Sequence, residues 1–217
     1  MAWNDRREWP LLALIGLAFA IALVAWPSSP AQVPTHWNLA GQVDGWAPKA
    51  VGLLIAPVVA AIVYVLLMIA PRLDPLGANY ARFAGAYTAT RALVLVVIVA
   101  VQAMIAATAL GREVRVEWVM PLAVGIMFIG LGFLLPRFEP NWFAGIRTPW
   151  TLSSEEVWHR THHVGGPVFM VLGVLVSAAS FLGGSTAFGV IAGAAAVASL
   201  GLVVYSYVVW RQLQARP

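Results

Sequence analysis

The chain contains no cysteine, which excludes disulfides, thiolate metal sites and cysteine nucleophiles. Charge is nearly as scarce. Asp, Glu, Lys and Arg together make up 10% of residues, where a soluble domain carries about 25%. So few charges cannot cover a globular surface with water-compatible groups, and the composition therefore specifies an integral membrane protein. The interiors of the long apolar runs are also nearly free of ionisable side chains, and Gln102 is the only amide well inside one. Pumps, ion-coupled transporters and intramembrane proteases place ionisable residues at membrane depth, so this scarcity argues against all three.

What remains is apolar and basic. Hydrophobic residues account for 61% of the chain, and the mean hydropathy is +0.83. The calculated isoelectric point near 10.0 does not point to nucleic acid, because the basic residues sit at the ends of apolar runs, where topology places them. About 20 apolar residues span a bilayer. Six segments qualify, at 10–27, 49–70, 88–110, 118–136, 166–183 and 187–210. Pro27 and Pro30, Pro71 and Pro75, Gly111 with Arg112, and Pro136 with Arg137 mark their ends, and Gly183 to Thr186 make a tight turn between the last two. The first run follows Arg6 and Arg7 like a signal peptide, but it is long enough to be retained as a helix.

An inside N-terminus puts ten basic residues on the cytoplasmic side and only Lys49, Arg112 and Arg115 outside. That asymmetry fixes both termini inside under the positive-inside rule. The expected fold is thus an all-α, six-helix polytopic protein. A two-helix unit, 1–85, carries the external loop 28–48, and a four-helix unit, 86–217, carries the cytoplasmic loop 137–165. Gly189 and Gly193 form a GxxxG spacing with Gly201 on roughly the same face. Small residues let helices approach closely. This face is read first as packing within the bundle and second as a homodimer contact.

In the external loop, Gly41 and the Asp44–Gly45 pair are turn signals. Trp37 and Trp46 suit the membrane interface, and the loop is expected to fold back with both indoles as anchors. His36, Asn38 and Asp44 are either turn formers or a recognition surface. In the cytoplasmic loop, Ser153 to Glu156 fits a capping box, so a helix should start near Ser154 and loosen at Gly165, Gly166 and Pro167. Val157 and Trp158 would dip toward lipid. Glu155, His159 and either His162 or His163 fall on one face, and a carboxylate with two histidines offers a possible transition-metal site. It lacks the H-E-x-x-H order of a metalloprotease. An interfacial helix with a water-facing side is the simpler reading, so no metal or cofactor is assigned. Arg147, ahead of Pro149, offers a planar fork for a carboxylate, a phosphate headgroup or helix-terminal carbonyls. There is no phosphate-cradling glycine loop and no nucleophile with a base, so no catalytic residue is assigned.

The run Asn141-Trp142-Phe143-Ala144-Gly145-Ile146-Arg147-Thr148-Pro149-Trp150-Thr151-Leu152, with Val157-Trp158 and Thr161-His162 after it, resembles the signature of the SdpI family of bacterial membrane immunity proteins. The run Pro34-Thr35-His36-Trp37-Asn38, with Gly41, Asp44, Trp46 and Lys49, resembles a small N-terminal domain of unknown function often fused to that family. The resemblance implies a multi-pass protein of the bacterial inner membrane. Such a protein would resist or sense a secreted membrane-active peptide toxin and relay its binding by holding a transcriptional repressor at the membrane. The external residues His36, Trp37, Asn38, Asp44 and Trp46 would then meet the toxin. The signature residues Asn141, Gly145, Arg147, Thr148, Trp150, Trp158 and His162 would support the fold or the relay. Two other classes stay open. One is a metal-dependent protein or enzyme built on the Glu/His helix. The other is a small-molecule exporter using a polar stripe of Gln102, Thr108, Ser177, Ser180 and Ser206.

Overall fold

A computed structural model describes residues 6–38 and 40–215. Apolar sequence in a bilayer must satisfy its backbone internally, and the chain accordingly folds almost entirely into helices. They are α1 (Trp9–Ala25), α2 (Lys49–Leu73), α3 (Ala84–Ala109), α4 (Val116–Leu134), the single turn α5 (Pro149–Ser153), α6 (Glu155–Ala179) and α7 (Gly184–Gln214). Five are long and apolar enough to cross a membrane. The sixth expected span, α1, has 17 residues, about 26 Å at 1.5 Å per residue, slightly short of a roughly 30 Å hydrocarbon core.

Three expectations about helix ends are corrected. The helix α2 continues through Pro71 to Leu73. The helix α6 runs unbroken through Gly165, Gly166 and Pro167, so the capped segment and the fifth span are one element. Proline and glycine are tolerated in membrane helices because neighbouring groups take up the freed backbone. The cap is Ser154, whose hydroxyl accepts from the Val157 N–H. Glu156 instead pairs with Arg160, and Ser153 donates to the Trp150 carbonyl.

The glycines of α6 have a packing purpose. A Cβ on Gly132 would come 2.6 Å from the Gly166 carbonyl oxygen, and one on Gly173 would come 2.5 Å from that of Gly125. Two glycine pairs, each seven residues apart along its own helix, therefore let α4 and α6 pack antiparallel, backbone against backbone. The reading of the α7 glycines as bundle packing is overturned, because a Cβ on Gly189, Gly193 or Gly201 would meet nothing within 4 Å.

The bundle also holds a buried ion pair that the sequence pattern did not disclose. Arg91, counted above with the cytoplasmic basic residues, lies in α3 and is 1% exposed. Its guanidinium donates to both oxygens of Glu8 at 2.9 and 2.8 Å. The Tyr64 hydroxyl donates to Glu8 at 2.9 Å. This cluster ties α1, α2 and α3 together. The proposed polar stripe does not assemble. Thr108, Ser180 and Ser206 donate to carbonyls of their own helices, and the fully buried Gln102 amide makes no hydrogen bond among the described residues.

The 28–48 loop departs from the all-α expectation. It forms an antiparallel hairpin, β1 (Gln32–Trp37) with β2 (Val43–Pro48). Val33, fully buried with Ala22, Leu53 and Ile105, pins the hairpin to α1, α2 and α3. Trp37 packs against the same cluster. Trp46 is 59% exposed, so of the two indoles only Trp37 packs into the bundle.

Candidate functional site

The polar residues gather at two ends of the bundle. At the hairpin end, the turn is built by Asn38, whose side-chain oxygen accepts from the Ala40 and Gln42 N–H groups at 2.9 and 3.0 Å. Gly41 takes a φ of +74° there, a left-handed conformation that suits glycine. Asn38 and Gly41 are thus turn formers. Asp44 and Gly45, expected to turn, lie inside β2. Strand register slips on both sides of His36 and leaves Asp44 beside it. Nδ1 of His36 meets Oδ1 of Asp44 at 2.5 Å, with the two side chains 72% and 43% exposed. Behind the hairpin turn, a cleft of about 240 Å³ opens between Trp37, the start of α4 and the start of α7.

At the opposite end, the 137–148 loop is organised by buried polar side chains. Asn141 is fully buried. Its oxygen accepts from the Phe143 and Ala144 N–H groups at 3.0 and 2.7 Å, and its amide donates to the Glu139 carbonyl at 2.9 Å. Asp74, just after α2, accepts from the Trp142 N–H at 2.8 Å, the Leu76 N–H at 2.7 Å and the Tyr80 hydroxyl at 3.0 Å. Burial, and then the bond to Asp74, push the Tyr80 hydroxyl pKa up. Asp74 was not singled out from sequence. Its position between Pro71 and Pro75, directly after an apolar run, is the signal that could have found it.

Trp158 and His162 form the core of this end. Trp158 is fully buried and donates from Nε1 to the Phe138 carbonyl at 2.8 Å, which corrects the expectation that it dips toward lipid. Val157 is equally buried. The His162 ring stacks on Trp158 with centroids 4.1 Å apart. Its Nε2 accepts from the Ile146 N–H at 2.9 Å, and its Nδ1 lies 2.9 Å from the Trp158 carbonyl. An imidazole that accepts at one nitrogen and donates at the other is neutral. Gly145 has φ +106°, and a Cβ there would run into Nε2 of His162. Arg147 donates to the Trp142 carbonyl at 2.7 Å; its partner is a loop carbonyl, not a helix terminus. Thr148 caps α5 in a reciprocal box with Thr151 and lies 3.1 Å from the Ser206 hydroxyl of α7. The Trp150 ring lies 5.0 Å from that of Tyr207.

The candidate metal face, the alternative reading of this helix, is only partly assembled. Both His162 nitrogens are engaged in the loop, so it is not a ligand, and His163 lies outside the cluster. Glu155 and His159 meet a third residue, Glu139, with one ligand atom from each lying within 4.8 Å of the others. His159 Nε2 is 3.6 Å from Glu155 and 3.8 Å from Glu139, while Arg82 reaches Glu139 at 3.4 Å. These three residues could hold an ion, but Arg82 already supplies positive charge there.

Residues 137–206, which contain this loop, all of α6 and most of α7, match the SdpI/YfhL protein family. The resemblance carried by the signature residues is therefore shown. Residues 13–61, which contain the hairpin, match a domain of unknown function, DUF1648. The chain is 27% identical over 173 residues to the immunity protein SdpI of Bacillus subtilis (strain 168), covering 80% of this chain and 81% of that protein. No solved structure matches. The chain is thus a helical, multi-pass membrane protein in which a segment matching DUF1648 is followed by one matching the SdpI/YfhL family.

Proposed function

We propose that this protein is an immunity or resistance protein of the bacterial inner membrane, acting on an external membrane-active peptide without catalysis. The observation that carries the reading is the likeness to an immunity protein over four fifths of both chains. The basic-residue asymmetry supports an orientation with both termini cytoplasmic, the hairpin outside and the signature loop inside. On that orientation the hairpin offers the peptide His36, Asp44 and Trp46 on its exposed surface, while Trp37 and Asn38 hold its shape.

The helix α7 supports a relay to the cytoplasm. It lines the cleft behind the hairpin with Ala187 and Phe188, and at its other end it meets Thr148 and Trp150 of the signature loop. A peptide that binds one of two α7 positions more tightly would shift the population toward it, and a cytoplasmic repressor could read the change. Two copies would associate through the open Gly189–Gly193 face.

The test is survival of a sensitive bacterium, with and without the protein, across a panel of membrane-active peptides. Protection by the wild type that is lost in His36→Ala/Asp44→Ala supports immunity acting through the hairpin. Absence of protection against every peptide overturns it.

A further inference from the structure

The exposed hairpin residues are not the only peptide-facing chemistry at that end. The cleft behind the turn joins the two family segments. Trp37 and Gly41 come from the hairpin, Glu117 and Met120 from α4, and Ala187 and Phe188 from α7. Glu117 is the only ionisable residue among the described residues of its lining. The nearby Arg115 is drawn off, its guanidinium lying 5.7 Å from the centre of the Trp118 ring, and Trp118 is not part of the cleft. The α7 N-terminus opens beside it. Its cap position is Gly183, and among the described residues no side chain caps the first N–H groups, which leaves donors that need acceptors.

We infer that this cleft is a peptide site: Glu117 takes a lysine, arginine or amino-terminal cation, the open N–H groups of α7 take a peptide carbonyl, and Trp37, Met120 and Phe188 take apolar side chains. A cation, a carbonyl and apolar groups within about 240 Å³ are what a cationic amphipathic peptide supplies and what a simple inorganic cation or a lipid tail does not. Glu117 also sits in the first turn of α4, where a carboxylate favours the helix dipole. That structural role predicts an effect on stability but none on ligand charge preference. The inference rests on the immunity reading for its biological partner, though not for its chemistry.

The experiment uses the full chain in nanodiscs of phosphatidylcholine and two labelled probes, a lysine–leucine amphipathic peptide and its glutamate–leucine counterpart. Binding is read by fluorescence anisotropy against empty discs. The wild type should bind the lysine peptide in preference to the glutamate peptide. Glu117→Gln should weaken this binding about tenfold, the loss of roughly one well-placed charge contact. Glu117→Lys should reverse the preference, and Phe188→Ala, on an exposed wall, should weaken both probes. Circular dichroism melts confirm that each variant is folded. Equal binding of the lysine peptide by wild type and Glu117→Gln, or no binding above empty discs, overturns the inference. Survival separates the two proposals. Protection that persists in Glu117→Gln, with unchanged binding, sinks the cleft and leaves immunity standing. Glu117-dependent binding without any protection sinks immunity and leaves the cleft.

Discussion

The two ends of the bundle look alike in sequence, each a polar segment with tryptophan, glycine and at least one histidine, yet they use those residues in opposite ways. At the signature end the polar atoms face inward. Asn141, Asp74, Trp158 and His162 are buried and spend their hydrogen bonds on the backbone of one loop. At the hairpin end, apolar Val33 and half-buried Trp37 face inward, and the ionisable pair His36–Asp44 faces water. The density of recognisable residues therefore marks the place whose shape is held most tightly, and exposed pairs mark the place free to meet a partner. A motif can be specific because a loop needs it, without any of its side chains touching a ligand.

The largest expected effect tests the inward-facing end. Trp158→Ala removes a fully buried indole, its bond to the Phe138 carbonyl and the stacking partner of His162. It should destabilise the protein by about 3–5 kcal/mol, read as a lowered midpoint in a detergent melt. Asn141→Ala takes the acceptor from two part-buried N–H groups, those of Phe143 and Ala144, and should cost about 1–3 kcal/mol. Gly145→Ala forces a left-handed residue against His162 and should cost about 1–2 kcal/mol from backbone strain alone. If all three variants melt like the wild type, the loop is not the rigid element described here.

A second contrast lies along the helices. Gly132→Val pushes a branched side chain into the Gly166 backbone of α6 and should cost about 1–3 kcal/mol of overpacking. Gly193→Val, on the open face of α7, should leave the melt within about 0.5 kcal/mol. A large loss at Gly193 would show that this face is occupied in the membrane. Native gels or crosslinking of the same variant would then show whether a second copy covers it.

The contrast also explains what could be read in advance. Hydropathy placed the five long apolar helices because a bilayer demands apolar length. It misplaced their ends at Pro71 and at Gly165–Gly166–Pro167, because breaker residues keep their water-soluble meaning only where nothing else satisfies the backbone. The α4–α6 glycine pairs look no different in sequence from the α7 glycines, since spacing alone does not say which helix lies opposite. The hairpin was hidden because Pro34 and Gly45 interrupt any strand alternation. The Arg91–Glu8 pair joins residues 83 apart, and no local pattern signals it. At the candidate site, His36 and Asp44 were legible as polar loop residues, but their pairing depends on a register slip. Glu139 and Asp74 were passed over because each lies beside a proline at the edge of an apolar run and acts through a distant segment.

The smallest effect on stability falls at the hairpin end. His36→Ala or Asp44→Asn breaks an exposed pair, and such pairs contribute about 0.2–1 kcal/mol. The melt should hardly move, while protection against the cognate peptide should fall if the hairpin meets it. The same variants should lose still less stability as salt rises, since screening already weakens an exposed pair. A large drop in melting temperature would make His36–Asp44 a structural clamp like Asn141, erase the difference between the two ends, and leave the cleft at Glu117 as the remaining ligand-facing chemistry on that side. A drop in protection with an unchanged melt would separate recognition from folding at single-residue resolution, which substitutions at Asn141, Trp158 or His162 cannot do because those buried side chains are committed to the fold.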